Sequence, residues 1–150
     1  MATTKRRIHS KGDYQQDEKV AAGTITPGML VEQVSDAATI KAHATEGGDA
    51  EAAFAVEDAL QGNTVTDDYS AADLVTYILP VKGACVNALL KAGYDYTIAT
   101  ELISAGDGTL KPKAQASSGV SVDRIIAVVT EDCDIDASGD SDTLAEVRIL

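Results

Sequence analysis

The residues able to do chemistry in this chain are few, and their spacing does not gather them. There are two histidines, His9 and His43, and neither belongs to a set with metal-ligand spacing. Both therefore read as surface residues. Two cysteines, Cys85 and Cys133, stand far apart with no Cys-x-x-Cys. They read as reduced, partly buried thiols of a protein assembled inside a cell. No nucleophile elbow, phosphate-binding loop or dinucleotide fingerprint occurs, and Gly47-Gly48 and Gly106-Asp107-Gly108 are turn chemistry. One segment, Asp132-Cys133-Asp134-Ile135-Asp136, has the alternating carboxylates of a calcium loop. Such a loop also requires glycine at its sixth position and a bidentate glutamate at its twelfth. Here those positions hold Ala137 and Thr143, with Asp140 and Asp142 as spare oxygen donors. The favoured reading is an acidic, solvated, metal-free hairpin loop between the last two strands. Carboxylates are numerous enough for acid–base work. Yet with no tryptophan, one phenylalanine and five tyrosines, the chain has little with which to line a concave ligand pocket. The expectation is a binding protein without cofactor or metal, not an enzyme.

The elements that must carry these residues are short strands. Thr26-Pro27-Gly28 forms a turn, because Pro27 presets φ and Gly28 permits a positive φ after it. Strands are expected over 29–34, 37–44, 74–79 (ended by Pro80), 85–90, 94–97, 101–104, 124–131 and 144–150, with a tight turn at 105–108 and a polar loop over 111–121. Residues 50–60 suit a helix by their alanines and acids. The nearby Gly62-Asn63 and the lack of a 3.6 period favour a buried strand over 53–57 instead. Short strands at this spacing indicate a mainly β fold, a small β-sandwich or barrel.

The chain has 150 residues, the size of one domain, and a net charge of −12. Residues 1–19 hold five basic side chains against three acidic ones, so they carry +2 and the remainder −14. This divides the chain into an extended basic N-terminal arm, 1–19, and a β-rich domain, 20–150. The arm has no apolar periodicity and is expected to stay mobile until it orders on a partner through Lys5, Arg6, Arg7 and Lys11. The acidic body repels nucleic-acid phosphates. The longest aliphatic run, 125–129, is far short of the roughly 20 residues of a membrane span, and no apolar stretch follows the early basic residues as in a secretion signal.

The order of turns resembles the head decoration (capsid cement) proteins of tailed bacteriophages and related archaeal tailed viruses. The body opens on Gly23-Thr24-Ile25-Thr26-Pro27-Gly28-Met29-Leu30-Val31-Glu32 and continues with Phe54-Ala55-Val56-Glu57. A Gly–Tyr segment then runs from Gly62 through Tyr69 to Val75. Leu102-Ile103-Ser104-Ala105-Gly106-Asp107-Gly108-Thr109-Leu110 forms a later turn, and Ile126-Ala127-Val128-Val129-Thr130-Glu131 a closing strand. The likeness covers roughly 23–131, and its turn residues are Gly23, Pro27, Gly28, Asp107 and Gly108. Ala72 stands where a glycine is usual, and Thr100-Glu101 replaces a Gly-Asp pair. The resemblance implies a β-tulip-like domain, no catalysis, and a homotrimer on the outside of the expanded capsid, assembled in the host cytoplasm. The major capsid protein would be its partner, and the trimer would hold the shell against internal DNA pressure. Competing readings are another β-rich virion part (tail tube or head–tail connector), a calcium-dependent binding module and, last, a small hydrolase.

Overall fold

The computed structural model describes residues 4–35, 38–114 and 123–150. Thirteen strands account for its regular structure: β1 (His9–Lys11), β2 (Tyr14–Ala21), β3 (Val31–Gln33), β4 (Thr39–Ala42), β5 (Phe54–Ala55), β6 (Leu74–Pro80), β7 (Cys85–Leu90), β8 (Tyr94–Tyr96), β9 (Glu101–Ser104), β10 (Leu110–Pro112), β11 (Ala127–Val129), β12 (Cys133–Ile135) and β13 (Thr143–Ile149). Among the described residues the one helical piece is a 3-10 turn, Ala59–Gln61. The mainly β expectation holds.

Two sheets each close on themselves. In the first the order is β7-β10-β9-β11-β13, and β13 returns to β7 along six paired positions from Thr143–Leu90 to Arg148–Cys85. In the second the order is β3-β4-β2-β6-β5. Its ends are joined by Val31 N–H donating to Ala53 O (2.9 Å) and Ala55 N–H to Met29 O (3.1 Å). Closure removes most of the strand edges that would otherwise invite aggregation. The chain is thus two small barrels in contact.

The contact explains why residues 53–56 read ambiguously. Phe54 and Val56 belong to the core shared with the first barrel, together with Leu30 and Ile78. Ala53 and Ala55 face the interior of the second barrel with Val31, Val75 and Tyr77. A strand buried on both faces shows no polar alternation. Leu90, Leu102 and Leu110 are wholly buried, and each such side chain contributes about 1.5–3 kcal/mol by leaving water.

Three expectations are corrected. Much of the segment assigned to a mobile arm is built into both barrels: Ile8 is fully buried, β1 pairs with β7, and β2 pairs with β6 at seven positions from Tyr14–Pro80 to Val20–Leu74. The boundary at 19/20 therefore cuts through β2. A strand exposed on both faces carries no apolar pattern, so its place in the sheet rests on backbone pairing alone. The acidic loop 132–142 is only partly a solvated loop. It holds β12, paired to β8, with Cys133 and Ile135 turned inward. His43, expected at the surface, is 1% exposed. Residue 37 of the expected strand 37–44, and 115–121 of the expected polar loop, lie outside the described residues. Both cysteines are free and buried.

Candidate functional site

The four basic residues assigned to partner binding do not act as a set. Lys5 Nζ lies 2.7 Å from Glu131 Oε1, and Lys11 Nζ 3.5 Å from Glu146 Oε1. Glu146 also accepts from Ser10 Oγ (2.5 Å) and Thr130 Oγ1 (2.9 Å). The Ser10 hydroxyl above all holds this carboxyl below its usual range; burial opposes that, and Thr130 and Lys11 reinforce it. Farther along, Asn87 N–H donates to Ile8 O and Asn87 Nδ2 to Arg7 O, both at 2.7 Å. Residues 5–11 are thereby fastened along β7 and β13. Arg7 meets Glu57 only at 3.9 Å and is 83% exposed, and Arg6 is exposed.

The turn residues, by contrast, converge. Gly28 has φ of +95°, and Met29 N–H donates back to Thr26 O (3.0 Å), which is the expected turn. A side chain at Gly28 would collide with Leu144 Cδ2 and sit 3.3 Å from Asn87 O. Gly28 N–H donates to Ala55 O (2.8 Å) and its carbonyl accepts from Leu89 N (2.9 Å), so one residue bonds to both barrels. Some eighty positions later, Gly108 (φ +86°) gives its carbonyl to Leu30 N (2.8 Å) and its N–H to His43 O (3.1 Å). Asp107 accepts from Thr109 N–H (3.1 Å) and hydroxyl and from Lys91 Nζ (2.5 Å). Burial pushes its carboxyl up, but the Lys91 and Thr109 bonds outweigh this and hold it below the usual range. Pro27 is buried beside Gly28. Gly23 stands apart: its φ is not positive, and open space surrounds the position a Cβ would take. Pro27, Gly28, Asp107 and Gly108 therefore form one junction between the barrels.

Behind that junction lies a cluster that the sequence did not signal. Ser104 Oγ accepts from Gly106 N–H (3.1 Å) and lies 2.7 Å from His43 Nδ1. Its proton is then given to Nδ1, which leaves Nε2–H to donate to Asp49 O (3.1 Å), with Glu32 Oε2 at 3.7 Å. A serine, a histidine and a glutamate in a row have the members of a nucleophile–base set. Ser104 is 0% exposed, and the row locks three segments together. A cleft of about 350 Å³ opens beside it, lined by Glu32, His43, Asp49, Glu51 and Tyr77 among others.

Three carboxylates of 132–142 accept from backbone N–H groups, two of them in the 92–98 segment. Asp132 accepts from Ile98 N (2.9 Å), Asp142 from Ala92 N (2.9 Å) and Asp140 from Ala137 N (3.0 Å). Asp134 sits directly across from Asp95, and its charge, more than any other cause, pushes the neighbouring Asp136 carboxyl up. Among the described residues no group of three or more His, Cys, Asp or Glu is placed to share a metal ion.

Fold and junction together define a class: a nearly all-β domain of two barrels whose turn residues meet where the barrels touch. No model of a known protein family matches the chain, and no curated protein matches it. Among solved structures it is similar to the head fiber gp8.5 N base in bacteriophage phi29, with a TM-score of 0.57 and 16% identity over 92% of this chain and 95% of that one. At that identity the shared property is the fold, over nearly the full length of both chains.

Proposed function

We propose that this chain is a structural protein of a tailed-virus head that binds the outer surface of the expanded capsid as a homotrimer and stabilises the shell against the pressure of packaged DNA. The observation that carries this reading is the end-to-end likeness in fold to the base of a phage head fiber. The order of turns along the sequence supports it independently, because four of the five turn residues meet at one junction. An acidic body, −12 overall, suits a protein facing solvent outside the shell better than one lying against packaged DNA. The partners are the major capsid protein and two further copies of the chain; no cofactor, metal or catalytic step is involved. A ligand of the assembled shell that has no affinity for dispersed subunits stabilises the shell by mass action.

The test is to add the purified protein to expanded and unexpanded shells of its virus and image both. Density at three-fold or quasi-three-fold positions of the expanded shell only, and a solution mass of three times the 15.6-kDa chain, are expected. Hexameric or larger rings, or binding at a tail or vertex, would transfer the chain to the tail-tube or connector reading.

A further inference from the structure

β2 has one edge occupied and one half open, and the hydrogen-bond phase says which atoms are free. Asp13 O accepts from Val81 N, and Ala21 N donates to Asp73 O. In the antiparallel register of β2 with β6 these odd positions are the bonded pairs, so 15, 17 and 19 bond to β6 as well. The same phase appears on the other side of β6, where Val56 N donates to Thr76 O, and at Pro80, whose missing N–H costs β2 nothing. The even residues of β2 turn their backbone outward. Beyond Val20 that edge is covered by β4, with Ala22 N bonding Ile40 O. At Tyr14, Gln16 and Glu18 nothing pairs with it among the described residues, except that the Asp17 carboxylate takes the Glu18 N–H (2.8 Å).

On the face shown by Tyr14, Gln16 and Glu18, a groove of about 190 Å³ crosses the sheet from β2 over Thr76 and Ile78 of β6 to a wall formed by residues 57–60 beyond β5. Leu60 stands 97% exposed on that wall, and Tyr14 is 41% exposed and packs against His9 with ring centroids 4.5 Å apart and the planes tilted by 52°. The charged side chains lining the groove are Glu18, Glu57 and Asp58 against Arg7, a net negative balance.

We infer that the open edge of β2 accepts an extended strand of another protein, which adds to the sheet through Tyr14, Gln16 and Glu18 and sets a lysine or arginine beside Glu18. Strand addition of this kind takes affinity from main-chain bonds and selectivity from alternate side chains. A second copy of this chain is a poor occupant. β2 carries Asp17 and Glu18 beside a single Lys19, and like charges set across a strand pair are destabilising. The inference rests on edge geometry; under the proposed function the strand would come from the shell subunit.

The test uses the full chain, ¹⁵N-labelled, and an acetylated, amidated eight-residue peptide alternating valine and threonine with two lysines. Saturable shifts confined to the amides of residues 14–18 are expected, with slowed exchange of the Gln16 N–H. Gln16→Pro should leave the melting temperature nearly unchanged, because that N–H points away from β6, yet weaken the peptide by about tenfold, the worth of one or two main-chain bonds. A glutamate version of the peptide should bind more weakly to the wild type, and Glu18→Lys should reverse that order. No saturable shift at about millimolar peptide, shifts centred elsewhere, or indifference to Gln16→Pro would overturn the inference. So would a homodimer that Gln16→Pro dissolves, which would assign the edge to a second copy. Because no capsid enters the experiment, its failure leaves the proposed function standing.

Discussion

Ala72 and Ala99 both adopt φ of +73°, each at the third position of a turn closed by a backbone bond, Asp73 N to Ser70 O and Thr100 N to Thr97 O. A turn with positive φ at that position asks for glycine. Ala72 stands where the resembling proteins carry one, so the turn shape is kept and the side chain bears the strain. The left-handed region costs a non-glycine residue roughly 1–2 kcal/mol, and glycine gives back about 0.5–1 kcal/mol through its more flexible unfolded chain. Both alanines are exposed and lose no packing on truncation. Ala72→Gly and Ala99→Gly should therefore each stabilise the protein, by up to about 1 kcal/mol, read as a higher urea midpoint at unchanged slope. A lower midpoint at both sites would refute the strain argument.

At the scale of elements, the segment before Val20 decides whether the fold exists. β1 and its approach cover the open side of β7, and β2 supplies the whole of one ladder of β6. Val75 and Tyr77, both buried, lie on the face of β6 that closes the second barrel, and that barrel opens if β2 is removed. A chain beginning at Val20 should lack a cooperative thermal transition and bind a hydrophobic dye, whereas one beginning at Lys5 should melt near the full chain. A sharp transition in the shorter chain would show that β2 is dispensable. The 53–56 segment makes the complementary point: its four buried residues alternate between two cores, so a single-face period never appears.

For the whole molecule, the acidic excess is unevenly relieved. Glu146 is held by Ser10, Thr130 and Lys11, and its pKa lies below the ordinary value of 4.5. A depressed carboxylate contributes stability that is present above its unfolded pKa and is lost as pH falls through the folded one. Asp136 has the opposite sign: raised chiefly by Asp134, it favours folding below its ordinary value of 3.8, and that contribution is lost as pH rises through its folded pKa. Glu146→Gln should be less stable than the wild type at pH 7, and the gap should narrow as pH falls below about 4. Urea melts across that range measure the difference. A gap independent of pH would mean that Glu146 acts through shape alone.

What the sequence determined by itself was local. The strands 85–90 and 101–104, the Pro27-Gly28 and Asp107-Gly108 turns, and the two free thiols follow from short apolar runs closed by turn residues, the fixed φ of proline, the freedom of glycine and cysteine spacing. Each depends on neighbours within a few residues. The tertiary structure decided the rest, because the deciding contacts are remote in sequence. β2 is a strand because β6, some sixty positions on, presents an edge to it. His43 is buried because Ser104 and Asp49 receive its two nitrogens, and Lys5 and Lys11 are spent because Glu131 and Glu146 fold back to meet them. Only that folding leaves the edge of β2 open at Tyr14, Gln16 and Glu18, since strand composition says nothing about which side of a strand finds a partner.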